Sequence, residues 1–334
     1  MKNGELMVLS GSASVGLARE ICGLLKLPML DPITGYHHDG EVKVNVPNVR
    51  GHDVFVVQST YAPADNLRGL LLSIDALKRA SARRITAVVP YFGYARQDKK
   101  AQRGVPISAK RAAREIEEAG AHRVLTMDLH APQIQGFFEI PVDHIYALPV
   151  LVPTMLEETS SGAPRVVLCG DAGSRSLSKA LARMIGARRA FGEKERPEDG
   201  IAEVIDVVGN VDGCVVYLID DMICTAGTFV ENAIAVAERG AVEIIMAATH
   251  GLFSYNDDED KKKWAADRID DSPIDRVVVA NTVPIDRFDF RFGERPVSQK
   301  VVEVSVADIL ARAIYNINHE KSVSSLFPKE LEHM

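Results

Sequence analysis

Missing from this chain of 334 residues is any long apolar run. Nothing approaches the roughly 20 consecutive apolar residues that a membrane-spanning helix needs, so no membrane partner is expected. Cysteine is scarce, and Cys22, Cys169, Cys214 and Cys224 are scattered. They show neither paired metal-ligand spacing nor a disulfide-rich pattern, which points to a reducing cytoplasm. An excess of positive charge is absent too: the formal net charge of −7 argues against a nucleic-acid partner. The first residues, Met1-Lys2-Asn3-Gly4-Glu5-Leu6, lack the apolar core of a secretory signal. What remains is an ordinary globular composition, 46% hydrophobic, with apolar residues enough for two cores. At a prior of roughly 150 residues per domain, the length gives two domains.

Strand-like and helical runs alternate along the chain. Val54–Val57, Ile85–Val89 and Arg123–Met127 read as strands, separated by helical stretches at 66–81 and 108–119. The alternation resumes with a strand at 165–168, a helix near 176–185 and strands at 215–219 and 242–246. This order predicts α/β architecture, with two mainly parallel sheets flanked by helices. One domain is expected at 1–147 and a second at 148–304. The boundary falls near 145–153, where two prolines interrupt the pattern. The C-terminal stretch 305–327 carries a helical pattern and is expected to pack back on the first domain. Residues 255–270, with four acids followed by three lysines, read as a solvated excursion. Gly11 to Gly16 lacks the Lys-Ser/Thr of a phosphate loop and reads as a strand-to-helix turn.

The most informative stretch runs from Val215 to Thr228. A β-branched run ends in Asp220 and Asp221, a small-residue turn follows, and a helical pattern runs from Phe229 to Ala237. Ligands of open α/β sheets sit beyond the carboxyl ends of the strands. The loop's N–H groups and the helix's first turn would face a phosphate there, with hydroxyls from Thr225 and Thr228. Carboxylates repel phosphate, so Asp220 and Asp221 suit sugar hydroxyls or a metal ion. Two adjacent aspartates alone would be only an acidic strand end. Joined to T-A-G-T, they describe a site for a ribose 5-phosphate.

Three further clusters also follow strands. Y-A-R-Q-D-K-K at 94–100 offers Arg96, whose planar fork suits phosphate, beside two lysines; alone it could be a solvated basic loop. Asp128 and His130 in D-L-H could hold a metal or its phosphate, although a structural histidine is the usual explanation of an isolated D-x-H. In Cys169-Gly170-Asp171-Ala172-Gly173-Ser174, a carboxylate in a small-residue turn suits magnesium carrying phosphate oxygens.

Taken together, Y-A-R-Q-D-K-K, D-L-H-A-P-Q-I-Q-G-F-F at 128–138 and D-D-M-I-C-T-A-G-T at 220–228 resemble the ribose-phosphate pyrophosphokinases over residues 39–327. The resemblance implies two phosphoribosyltransferase-like domains, the first with the ATP site and the second with the ribose 5-phosphate site. It implies Mg2+-dependent transfer of the β,γ-pyrophosphoryl group of ATP to the 1-hydroxyl of ribose 5-phosphate. By likeness, ATP falls to His37, Asp39, Glu41, Arg96, Gln97 and His130, and magnesium to His130 and Asp171. Ribose 5-phosphate falls to Asp220, Asp221, Cys224, Thr225, Ala226, Gly227 and Thr228. Lys194 and Arg196 match the catalytic basic pair of the family's mobile loop; from charge alone they read as surface residues. Arg50, Asn48, Ser322 and Ser324 match an allosteric phosphate site, and a homo-oligomer, a hexamer built from dimers, is implied.

The chain departs from the family at several of these positions. His37 stands where a phenylalanine often stacks on adenine, Cys224 where the loop often has an acid, and Asn48 where a serine is usual. Ser174 and Arg175 replace a glycine and an apolar residue, and Gly104 an arginine. Two other functions compete: a non-catalytic regulatory homologue, and a phosphoribosyltransferase that consumes the product. Retention of Lys194, Arg196, His130, Asp171 and both loop aspartates argues against the first, and the ATP-like loops of the first domain against the second.

Overall fold

The computed structural model describes residues 4–171, 173–195, 204–257, 262–287 and 291–331. The chain divides into two compact units: Met1–Tyr146 with Ser305–Leu326, and Ala147–Val304 with Phe327–Met334.

The first unit holds strands β1 (Leu6–Ser10), β2 (Thr34–Tyr36), β3 (Val42–Val44), β4 (Asp53–Val57), β5 (Arg84–Val89), β6 (Arg123–Met127) and β7 (Val142–Ile145). Helices α1 (Val15–Leu25), α2 (Asp65–Arg79) and α3 (Ser108–Ala119) connect them. The main sheet has the order β1-β4-β5-β6-β7, parallel throughout. Its inner strands are near-continuous apolar runs because helices cover them; every residue of β4 is buried. β2 and β3 form a separate antiparallel hairpin.

The second unit starts with α4 (Leu148–Glu157) and continues through β8 (Arg165–Cys169), α5 (Arg175–Met184), β9 (Arg188–Glu195), β10 (Val204–Val208), β11 (Val215–Ile223) and α6 (Gly227–Glu238). Next come β12 (Glu243–Gly251), β13 (Tyr255–Asn256), β14 (Lys263–Trp264), α7 (Ala265–Asp270), β15 (Arg276–Ala280) and β16 (Val301–Val304). The sheet order is β10-β9-β8-β11-β12-β15-β16, parallel except for the β9–β10 ribbon. From β8 the chain first adds β9 on one side, then crosses to add β11 on the other. The carboxyl ends of β8 and β11 therefore flank a topological switch point, the usual place for a ligand in such a sheet.

Helix α8 (Ala307–Asn318) belongs to the first unit and packs on α1. A buried polar clamp fixes its end. Arg84 Nε donates to fully buried Asp53 at 2.8 Å, Asn318 Nδ2 donates to the same carboxylate at 2.8 Å, and Arg84 Nη2 donates to Ile317 O at 3.1 Å.

Three local expectations differ from the structure. The prolines near the boundary lie inside α4 rather than interrupting a helix. Pro149 occupies the first turn, where its missing N–H has no intrahelical partner anyway, and Pro153 forfeits one bond. Strand β11 runs past Ile219 to Ile223, so Asp220 and Asp221 belong to the strand, with Asp220 opposite Ala248 of β12. The stretch 255–270 is not simply a solvated excursion. Tyr255 and Trp264 pair across the β13–β14 ribbon with rings 5.3 Å apart, Phe292 packs 4.5 Å from Tyr255, and Ala265, Ala266 and Ile269 of α7 are buried. Its charges hid an apolar anchor at each end.

Candidate functional site

In the first unit, the ends of β4 and β5 are laced together. Tyr91 N–H donates to Ser59 Oγ at 3.1 Å and Gly93 N–H to Thr60 Oγ1 at 2.8 Å. A Cβ on Gly93 would sit 2.1 Å from Thr60 O, so glycine is required for this close approach. Beside the lacing lies a pocket of about 220 Å³, lined on one side by Thr60, Tyr61 and Pro63 and on the other by Tyr94, Arg96 and Gln97. Arg96 and Gln97 are exposed at its rim. Gln133 Nε2 donates to Asp98 at 3.2 Å, joining the basic loop to the turn that follows D-L-H. In that turn His130 is exposed, while Asp128 is 4% exposed and held by its N–H to Ile145 O at 2.9 Å.

His37, Asp39 and Glu41 occupy the exposed tip of the β2–β3 hairpin. His37 N–H donates to Glu41 O at 2.8 Å, and the Asp39 carboxylate accepts the Glu41 N–H at 3.1 Å. Asn48, Arg50, Ser322 and Ser324 are exposed, and Asn48 Oδ1 accepts the Arg50 N–H at 3.3 Å. Among the described residues, no hydrogen bond or ion pair joins Asn48 or Arg50 to either serine.

The second unit places Asp171, Asp220 and Thr228 around one crevice at the switch point, with Ser174 and Asn232. Asp171 follows β8 and accepts the Ser174 N–H at 2.8 Å, closing the turn before α5. Asp220 is half-buried and accepts the Asp221 N–H at 2.9 Å. Burial pushes its pKa up to about 8, with further contributions from the negative charges of Asp221 and Asp171. Ala226, at φ 60° and 3% exposed, caps α6 in the left-handed region, which turns the loop back into the helix. Tyr94 and Asp128 also have positive φ, at 65° and 37°. Non-glycine residues held this way cluster where loops carry function.

The sequence reading passed over Asn232. Its Nδ2 donates to Thr228 O at 2.8 Å, one helical turn back. A Cβ on Gly170 would lie 3.0 Å from Nδ2, so this side chain spaces the Asp171 turn from the Thr228 loop. Its Oδ1 is buried without a hydrogen-bond partner. The i, i+4 spacing to Thr228 was the available signal. Ser59 and Thr60 were also missed, although the polar run Gln58-Ser59-Thr60 directly after the apolar Val54–Val57 is the mark of a strand-end site.

Lys194 lies in β9, opposite Ile205 of β10. Arg196 lies outside the described residues. Among those residues no three His, Cys, Asp or Glu side chains converge as a metal cage. Magnesium does not require one: it takes one or two carboxylates and completes its octahedron with phosphate oxygens and water. Asp171 and Asp220 beside an unpartnered amide oxygen are hard oxygen donors of the fitting kind.

Two family descriptions match the chain: the N-terminal domain of ribose phosphate pyrophosphokinase over residues 6–120, and the phosphoribosyl synthetase-associated domain over residues 190–328. The ribose-phosphate pyrophosphokinase of Caldanaerobacter subterraneus subsp. tengcongensis is 44% identical over 325 residues, covering 97% of this chain and 98% of its own. That of Thermotoga maritima is 42% identical over 328 residues, covering 97% and 99%. The crystal structure of phosphoribosylpyrophosphate synthetase from Mycobacterium smegmatis superposes with a TM-score of 0.81 at 36% identity, over 95% of this chain and 99% of that one.

Proposed function

Because this chain belongs to the ribose-phosphate pyrophosphokinase family, we propose a division of labour for its reaction, with ATP taken by the first unit and ribose 5-phosphate by the second. The reaction transfers pyrophosphate from ATP to the 1-hydroxyl of ribose 5-phosphate, giving 5-phosphoribosyl 1-pyrophosphate and AMP. The bond formed joins O1 of the sugar to the β-phosphorus. The bond broken joins that phosphorus to the α,β-bridging oxygen, which leaves with AMP, and the hydroxyl proton is released.

The observation that carries the reading is the crevice at the β8–β11 switch point, with the small-residue loop and the start of α6 beside it. There the N–H groups of residues 225–228 take the 5-phosphate, with backbone support from Cys224. Asp220 and Asp221 take the ribose hydroxyls. Arg96, Gln97 and His130 bind the triphosphate at the strand ends of the first unit. By family likeness His130 of the first unit and Asp171 of the second are each proposed as residues that would hold magnesium, which would neutralise charge on phosphate oxygens. Lys194 and Arg196 stabilise the charge that develops on the transferring group. Such transfers depend on in-line positioning and charge neutralisation more than on covalent help.

The finer assignments come from family likeness. The protein is a homo-oligomer, a hexamer built from dimers, in which the hairpin of His37, Asp39 and Glu41 completes a neighbour's adenine site. Arg50, Asn48, Ser322 and Ser324 form a regulatory phosphate site, and the protein works in the cytoplasm. No described helix is long and apolar enough to cross a membrane. The test is AMP formation from Mg-ATP with and without ribose 5-phosphate. AMP that appears only with the sugar phosphate is the expected result. Binding of both substrates without AMP would favour a regulatory homologue instead.

A further inference from the structure

The proposed 5-phosphate loop lacks a cation of its own. From Asp220 to Glu238 the sequence contains no Lys or Arg, while it contains Asp220, Asp221, Glu231 and Glu238. A bound sugar phosphate would add a further negative charge. Backbone N–H groups and a helix N-terminus offset part of that charge.

A guanidinium reaches the loop from elsewhere in the chain. Arg268 of α7 donates from Nη1 to Thr225 O at 3.1 Å. Its Nη1 and Nη2 lie 3.6 Å and 4.0 Å from the point where a Cβ on Gly227 would sit, so the planar group packs against the turn itself. The side chain is half-buried, and among the described residues no carboxylate pairs with it. A guanidinium has five N–H donors, so most of this donor set remains for a ligand. The support is firm, because Ala265, Ala266 and Ile269 bury α7 against its surroundings, α6 among them. The carbonyl that Arg268 holds also precedes Ala226, whose left-handed backbone requires outside support.

We propose that Arg268 is a positioning residue of the 5-phosphate subsite. It pins the Thr225 carbonyl so that the loop's N–H groups stay turned toward the ligand, and it supplies the positive charge that the loop lacks. This inference rests on the reading of the loop as a ribose 5-phosphate site. Family likeness placed no role on Arg268, and the charged surroundings of α7 made the segment read as solvated.

The test compares Arg268→Gln, which keeps a donor but removes the charge, with Arg268→Lys, which keeps the charge but loses the fork. Ribose 5-phosphate binding is measured by calorimetry on the full chain, together with KM for each substrate, kcat and Tm. Loss of a charge-assisted contact should weaken ribose 5-phosphate binding roughly tenfold or more in Arg268→Gln, without a matching rise in KM for ATP. Arg268→Lys should recover part of that loss. Unchanged ribose 5-phosphate affinity in Arg268→Gln would overturn the assignment. So would equal losses in both variants across all parameters with lowered Tm, the mark of a purely structural arginine. The parent is the control: if it fails to bind ribose 5-phosphate, the reading of the loop falls first, whereas a parent and a Gln variant that bind alike overturn Arg268 alone.

Discussion

Lys194 is the residue on which the proposed chemistry leans most. If its ammonium stabilises charge mainly in the transition state, Lys194→Ala should lower kcat by about 10²-fold or more while both KM values change little. Steady-state kinetics checks this, and turnover within a few-fold of the parent would remove Lys194 from the mechanism. His37 gives a prediction of opposite sign. An imidazole offers less apolar area to adenine than the phenyl ring common in the family, and stacking contributes roughly 0.5–1.5 kcal/mol in well-packed aromatic pairs. His37→Phe should therefore lower KM for ATP, and an unchanged or higher value would reject the stacking role. At this scale the sequence was only partly legible. Asp220 and Thr228 could be read together because one strand-turn-helix pattern carries both, and Asp171 because it stands in a small-residue turn just past a strand. Asn232 was legible only through its i, i+4 spacing to Thr228, and Arg268 not at all, because its contact with Thr225 is one that no local pattern encodes.

At the scale of elements, a carboxylate at the start of β12 ties the α4–β8 loop to the sheet. Glu243 is 7% exposed and accepts the N–H groups of Ser160 and Ser161, each at 2.8 Å, and the Ser160 hydroxyl at 2.9 Å. Burial raises its pKa, but these hydrogen bonds, with a smaller effect from Arg276, outweigh burial and hold it below the ordinary value of 4.5. A lowered folded-state pKa stabilises the fold above the unfolded value, and that stability is lost as pH falls through the folded one. Glu243→Gln should thus cost about 1–3 kcal/mol at pH 7. The gap from the parent should close as pH falls below the ordinary value of 4.5 and through the lowered folded-state one. Chemical denaturation at several pH values measures it, and a gap independent of pH would contradict the carboxylate's role. Helices α2, α3, α5, α6 and α8 and the inner strands β4, β5, β6, β8, β11 and β12 were legible because their periodicities are strong and tertiary packing does not oppose them; α3 spans Ser108–Ala119, as the pattern predicts. β2, β3 and the β9–β10 ribbon are short or edge elements set by pairing rather than by pattern.

For the whole molecule, a buried clamp adds to the apolar packing that holds α8 in the first unit. Removing one partner of a buried ion pair leaves an uncompensated charge, so Arg84→Met should destabilise the protein by roughly 3–5 kcal/mol. A change below about 1 kcal/mol in denaturant unfolding would mean that α8 is held by its apolar contacts alone. Two α/β units could be inferred from the alternation of elements, since each change from period 2 to period 3.6 is local. The pairing of Asp53 with Asn318 across most of the chain's length could not.

The central claim is that ATP gives up its β and γ phosphates together to a sugar held by the second unit. Phosphorus NMR of a reaction containing this protein, Mg-ATP and ribose 5-phosphate follows both atoms directly. AMP and a diphosphate on the anomeric carbon of ribose 5-phosphate should grow in equal amounts as ATP and the sugar phosphate disappear. ADP with a ribose 1,5-bisphosphate, or ATP breakdown that leaves ribose 5-phosphate unchanged, would contradict the account.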